Sequence, residues 1–202
     1  MNERYIKWHT PYLSREFGML AFGNGGGLPL ILFLTSFGLY HQNKDFGLVG
    51  SVSGYVDAGK LTVCCPDAVD LESFYNKSIH PADRMRTHNA YENVIVRDVF
   101  DLAGRECNCH RVAVCGASLG AYHAANIAFR HPDTVSHLIS LSGSFDISSF
   151  SMVTMTTTFT STALTNICQT QPTRGITITW ASSLPPANGI TLAVNRIGSL
   201  KF

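Results

Sequence analysis

The chain predicts an α/β protein, a three-layer α/β/α sandwich built on a mostly parallel central sheet. Three observations carry that expectation. Apolar, often β-branched runs alternate with stretches of helical composition from about residue 17 to residue 141, and such alternation implies a parallel sheet with helices on both faces. Leu28 to Leu34 is continuously apolar apart from Pro29, as a strand buried on both faces would be. The 202 residues are 45% hydrophobic and 14% charged, which is enough chain and enough apolar surface for one real core.

The elements follow in order. Phe17 to Phe22 reads as a strand, and Gly23-Asn24-Gly25-Gly26-Gly27 as the turn that ends it. Leu28 to Leu34 is the next strand. Residues Phe46 to Ala58 suit a short helix, and Leu61 to Cys65 a second buried strand. Asp67 to Asn89 is polar and rich in turn residues, so a long surface loop is expected. A helix is predicted over Ala90–Arg105, with Val94, Ile95, Val99 and Leu102 at helical spacing. Arg111 to Cys115 is a short strand, Gly120 to Arg130 a helix closed by His131-Pro132-Asp133, and Val135 to Leu141 a further strand. No internal repeat is evident.

Composition excludes several classes of function. A formal net charge of +1 supplies no basic stripe to displace counterions, which argues against nucleic acid as a partner. No run reaches the ~18 apolar residues of a membrane span. The first residues, Met1 to Tyr5, have no apolar signal core beside them, so a cytoplasmic setting is expected. Of the six cysteines, Cys64 and Cys65 would point to opposite faces of a strand, which disfavours a disulfide framework. Cys107-Asn108-Cys109-His110 lacks both the usual ligand spacing and a second ligand pair, so no metal and no cofactor are expected.

The most informative stretch is Gly116-Ala117-Ser118-Leu119-Gly120, after an apolar strand and before an Ala-rich helix. This is the context that G-x-S-x-G requires of a nucleophile elbow. A serine on so sharp a turn is strained, and side chains two residues to either side would strike the neighbouring backbone, hence Gly116 and Gly120. The hydroxyl is raised above the sheet edge while the helix start aims amide dipoles at an oxyanion. Leu119 N–H is one expected oxyanion donor. The other is expected from Leu34-Thr35-Ser36-Phe37-Gly38, as the backbone N–H of Ser36 or Phe37, with Gly38 permitting the turn.

On these residues the chain resembles the putative esterase family, its esterase D-like branch, within the α/β-hydrolase superfamily. The stretches that carry the resemblance are Leu34 to Gly38, Phe74-Tyr75-Asn76-Lys77-Ser78-Ile79-His80-Pro81, and Gly116 to Asp133. It covers about residues 5–147. It implies a serine hydrolase acting on a small carboxylic ester, with Ser118 as the acylated residue.

That fold orders its triad Ser, then Asp or Glu, then His. Downstream of Ser118 the acids are Asp133 and Asp146 and the histidines His123, His131 and His137, and no histidine follows Asp146. His123 should point away from the hydroxyl, and His131 should lie about 18 Å along the helix. His41, His80 and His88 stand in predicted loops but precede the serine. The triad acid and base are therefore not assigned.

The composition changes abruptly near Ser148. All fourteen acidic residues and all eight histidines precede Ile147, whereas threonine rises from five in residues 1–150 to twelve in 151–202. Joining each codon's third base to the next codon's first two, Met152-Val153 forces Gly and Met155-Thr156 forces Asp, with Tyr-Tyr permitted between them. Pro186 to Ile190 permits G-E-W-D by the same reading. Both resemble the family's own continuation. Residues 1–147 are thus read as a truncated hydrolase domain and 148–202 as an aberrant, out-of-frame tail, with the later strands missing or non-native. Two other functions stay open: acyl transfer to an alcohol or amine, and a non-catalytic binding protein on the same fold.

Overall fold

The computed structural model describes residues 1–145 and 177–181. Asp146 and the tail, apart from one strand, lie outside the described residues, as does the predicted boundary near residue 148. The strands are β1 (Glu3–Thr10), β2 (Arg15–Phe22), β3 (Leu28–Phe33), β4 (Leu61–Pro66), β5 (Val112–Ala117), β6 (Val135–Leu141) and β7 (Thr177–Ala181). They form one sheet in the order β1-β2-β4-β3-β5-β6-β7. β1, β2 and β4 are joined antiparallel, and β4, β3, β5, β6 and β7 run parallel. The mostly parallel sheet expected from the alternation is the one observed.

Period-two geometry divides each central strand between two cores. Ile31, Phe33, Cys64 and Val114 face one side, with the helices α4 (Pro81–Asn93), α5 (Phe100–Cys107) and α6 (Leu119–Arg130). Leu30, Leu32, Val63, Cys65 and Cys115 face the other, with Val49 and Val56 of the short helices α2 (Leu48–Ser51) and α3 (Ser53–Asp57). A third short helix, α1 (Gln42–Asp45), precedes these. The result is three layers. Cys64 and Cys65 fall on opposite faces as neighbours in a strand must, and both thiols are pushed up by burial, Cys65 to about 12.

Three expectations need correction. β1 was not anticipated: Glu3, Tyr5, Lys7 and His9 face outward, Arg4, Ile6 and Trp8 turn partly inward and Thr10 is buried, so this edge strand has no apolar run to announce it. Charge on an edge is a common guard against unwanted pairing. The Phe46–Ala58 helix is two pieces, entered through Gly47 at φ 77° and broken at Val52, φ −110° and ψ 6°. The Asp67–Asn89 loop is only half a loop, because α4 begins at Pro81. His80 caps it by accepting from Ala82 N–H at 3.2 Å, and Pro81 occupies the first turn, where its missing N–H costs nothing.

α4 escaped notice because the residues it buries, His88, Tyr91 and Glu92, are polar or amphipathic. It continues through a π-helical segment, Val94–Val99, into α5. Val94 and Val99, five apart as the π repeat requires, are both fully buried. Glu92 ties α4 to α6, accepting from Arg130 and His131 at 2.9 Å each and from Asn126 at 3.3 Å.

Candidate active site

Ser118 is the single residue between β5 and α6. Its backbone sits at φ 55° and ψ −119°, a conformation that L-residues rarely adopt. Such strain costs about 1–3 kcal/mol and survives only where the surroundings over-determine it. Here Ser118 N–H donates to Leu141 O at 3.0 Å, while Ser118 O accepts from Ala121 N–H and Ser144 N–H at 3.1 Å each. The turn is pinned to the end of β6 and to the first turn of its own helix.

The two glycines are explained by contact. A Cβ at Gly116 would lie 2.2 Å from the carbonyl carbon and oxygen of Gly120. One at Gly120 would lie 2.4 Å from Leu34 O and 2.8 Å from Phe33 O. The elbow therefore presses directly on the end of β3, and the loop that follows β3 starts beside it. In that loop Gly38 N–H donates to Thr35 O at 3.0 Å, closing a turn around Ser36 and Phe37. Phe37 has φ 60°, and a Cβ at Gly38 would lie 2.8 Å from Leu34 Cβ. Leu119 opens α6, so its N–H is one of the first four helical amides, which have no acceptor within the helix. Ser118, Leu119, Ser36 and Phe37 are thus gathered at one end of the sheet, where the parallel strands finish.

The histidines are placed elsewhere. His123 is buried and its Nε2 meets Asp70 Oδ1 at 3.0 Å, 53 residues earlier in the chain. His131 bonds Glu92, and His137 Nδ1 meets Ser136 Oγ at 3.0 Å. His137 also lies four residues before Leu141, about 13 Å down β6 from the elbow. His41 pairs with Asp45 at 2.8 Å on the surface. His88 is buried inside α4 rather than in a loop, its ring 5.5 Å from that of His123.

Asp70 is the residue that sequence reasoning undervalued. A carboxylate after a strand reads as solvated, yet Asp70 is 2% exposed. It also accepts, through its backbone oxygen, from Tyr75 N–H at 2.9 Å. Its neighbour Asp67, half-buried beyond β4, is raised above the ordinary carboxylate range by burial, against the pull of Ala68 N–H. The loop after β4 touches the loop after β3: the Tyr75 ring lies 3.9 Å from that of Phe37, centroid to centroid.

Burial holds His88 well below its ordinary 6.5, with His123 and Arg130 adding to the effect. The folded chain keeps this ring neutral while the unfolded chain protonates it, so unfolding takes up a proton as pH falls below 6.5. Stability is expected to drop as pH falls below about 6.5, by at most about 1.4 kcal/mol per pH unit from this group alone. Urea titrations between pH 7 and 5 check it; in His88→Phe the fall in stability with pH should be shallower.

Among the described residues no group of three or more His, Cys, Asp or Glu could hold a metal. The model of the family described as Putative esterase matches residues 24–186. The chain belongs to this esterase family. The match includes the loop after β3, the elbow and β7, and the fold is that of the α/β-hydrolases. Solved esterases and hydrolases share it at low identity. An S-formylglutathione hydrolase from Staphylococcus aureus is 15% identical with a TM-score of 0.56, over 84% of this chain and 68% of that one. A fluorophosphonate-binding serine hydrolase of the same organism is 15% identical at 0.53, over 80% and 64%. A ferulic acid esterase from Anaeromyces mucronatus is 11% identical at 0.54, over 72% and 59%. This chain therefore spans about two thirds or less of the length of each. A search of curated proteins returns no match. No helix among the described residues is long and apolar enough to cross a membrane.

Proposed function

We propose that the chain carries the acylation half of a carboxylic ester hydrolase, with Ser118 as nucleophile. The observation that carries this reading is the strained backbone of Ser118, held at φ 55° by bonds to β6 and α6 and flanked by two glycines with no room for a side chain. The Ser118 hydroxyl attacks the ester carbonyl and its proton passes to a base. The carbonyl oxygen becomes an oxyanion, stabilised by Leu119 N–H and by the N–H of Ser36 or Phe37. Collapse expels the alcohol, which takes up a proton, and leaves an acyl-serine that water hydrolyses to the acid.

The base is the weak point of this chain. All three histidines after Ser118 are engaged away from it, and no Asp, Glu or His follows Asp146. That supports the reading of residues 148–202 as an out-of-frame tail, although the family match runs on to 186. Ser118 then keeps only the residual acceleration of binding and oxyanion stabilisation, about 10³–10⁴ over water. Sequencing the gene across the codons for Asp146 to Thr156 tests the tail: a missing or extra base supports it, and an intact frame overturns it.

Capture of Ser118 by a fluorophosphonate, read by intact mass, tests the nucleophile. The expected result is one adduct per chain, slow in this chain and faster in a frame-corrected one, and none in Ser118→Ala. An adduct that survives Ser118→Ala overturns the assignment. The same engaged histidines favour a second reading, a binding protein without chemistry, and a folded, frame-corrected chain that takes no label supports that one. Ser118→Gly adds a stability signature. Release of the strain outweighs the entropic cost of glycine, so the variant should be about 1 kcal/mol more stable while losing all capture.

A further inference from the structure

The loops after β3 and β4 carry three of the large apolar side chains left exposed among the described residues: Phe37 at 53%, Leu39 at 47% and Leu71 at 58%. Phe37 is the most costly of these. Its φ of 60° is a place where glycine sits freely and a bulky residue does not, and Gly38 next to it shows that glycine is used in this turn. A strained, solvent-facing aromatic ring in the loop that abuts the elbow contributes nothing to the core that another residue would not contribute better.

The ring is nevertheless held in place. It lies against Tyr75 with centroids 3.9 Å apart and planes inclined by 34°. Tyr75 packs on the core, and its N–H donates to the backbone oxygen of Asp70. The Asp70 carboxylate bonds His123, five residues after Ser118 on the nucleophile's own helix. Two hydrogen bonds thus tie the Tyr75 backbone to α6, core packing holds its ring, and Phe37 leans on that ring from the oxyanion side. We propose that Phe37 and Tyr75 form an aromatic wall of the ester site that selects esters bearing a planar aromatic ring over aliphatic esters of equal size. The proposal rests on Ser118 as the reacting residue. A flat ring can offset-stack or meet an edge on such a wall, an advantage that a cyclohexyl ring of similar apolar area does not share.

The test uses the full chain and three alkyl fluorophosphonates that all expel fluoride. The first carries phenyl on phosphorus with ethoxy, the second ethyl on phosphorus with benzyloxy, and the third cyclohexyl on phosphorus with ethoxy. The first places the ring where an acyl group lies and the second where the alcohol lies. Capture rates are measured for the parent chain, Phe37→Leu and Tyr75→Leu. An effect on the oxyanion donors cancels in the ratio of aromatic to cyclohexyl rates, because all three probes form the same oxyanion.

The ratio is expected to fall about 3- to 10-fold in each variant for at least one aromatic probe, and which probe responds says which side of the ester the wall serves. Ratios unchanged in both variants, at unchanged thermal midpoints, overturn the wall. If no probe labels Ser118 in this chain or in a folded, frame-corrected one, the nucleophile reading fails, and the wall is judged by ligand-observed NMR with benzyl alcohol against cyclohexylmethanol. Ring-selective binding lost in Phe37→Leu upholds it, and equal binding of the two alcohols overturns it.

Discussion

Gly120→Ala is expected to cost the chain a large share of its stability. The new methyl would stand 2.4 Å from Leu34 O, 2.8 Å from Phe33 O and 2.9 Å from the Leu34 carbonyl carbon. All three are backbone atoms of β3 or its end, so no side chain can swing aside. Relief requires α6 to lift from the sheet, and α6 buries every residue from Leu119 to Phe129. Ordinary overpacking costs about 1–3 kcal/mol, and a clash against fixed backbone in the central helix should exceed it, at about 4 kcal/mol. That is a large share of the 5–15 kcal/mol that holds a domain together. Gly116→Ala should do the same through its 2.2 Å approach to Gly120. Because one displacement of α6 relieves both clashes, the double variant should cost less than the sum. Gly54→Ala is the control: its Cβ would meet nothing within 4 Å in helix α3, and it should be neutral or slightly stabilising. Urea midpoints decide the matter, and a Gly120→Ala chain within 1 kcal/mol of the parent would mean that elbow and β3 are not pressed together.

The elbow was legible because its rules are local. Five consecutive residues encode the turn, and the strand before and helix after them confirm its context. β3, β4 and β5 were legible for a related reason: strands covered on both faces are apolar at nearly every position, and Leu28–Phe33 or Val112–Cys115 needs no periodicity to stand out. β1 and α4 were hidden by the opposite circumstance. β1 shows solvent half of its residues and uses charge at the sheet edge. α4 buries Tyr91, His88 and Glu92, and Glu92 finds its partners in Asn126, Arg130 and His131, so the inward face carries no apolar stripe.

The same distinction separates the two halves of the site. Ser118, Leu119 and the elbow glycines announce themselves in sequence. The link between Asp70 and His123 does not, because it joins residues 53 apart and each, read alone, looks bland: a loop carboxylate and a helix histidine. Only the stacking of α4, α6 and the 67–76 segment over β3 brings them together. Aromatic rings close the pair off, with Phe33, Phe74 and Tyr91 centred 5.6–6.1 Å from the His123 ring. A polar pair so enclosed must be satisfied internally.

Asp70→Ala should therefore be the second most damaging change, and for a reason unlike that of Gly120→Ala. It leaves the His123 ring, 3% exposed, without the oxygen that meets its Nε2, in a place that water does not reach. Breaking one side of a buried charged pair costs about 3–5 kcal/mol, and a neutral buried group left unsatisfied about 1–3 kcal/mol. A loss of about 3 kcal/mol is expected. Asp70→Asn keeps an oxygen at the same place without the charge and should recover part of the loss. His123→Ala alone should be costly too, but the double variant should cost clearly less than the sum, because the second deletion removes a group already orphaned. Hydrogen exchange locates the damage. The Tyr75 N–H that donates to Asp70 O should exchange faster in Asp70→Ala, while amides at the centre of β5 change only with global stability. Uniform acceleration across the sheet would make the pair a general core contact. Acceleration confined to residues 67–76 would show that this buried bond holds the β4 loop against the helix of Ser118, the arrangement on which the shape of the proposed ester site depends.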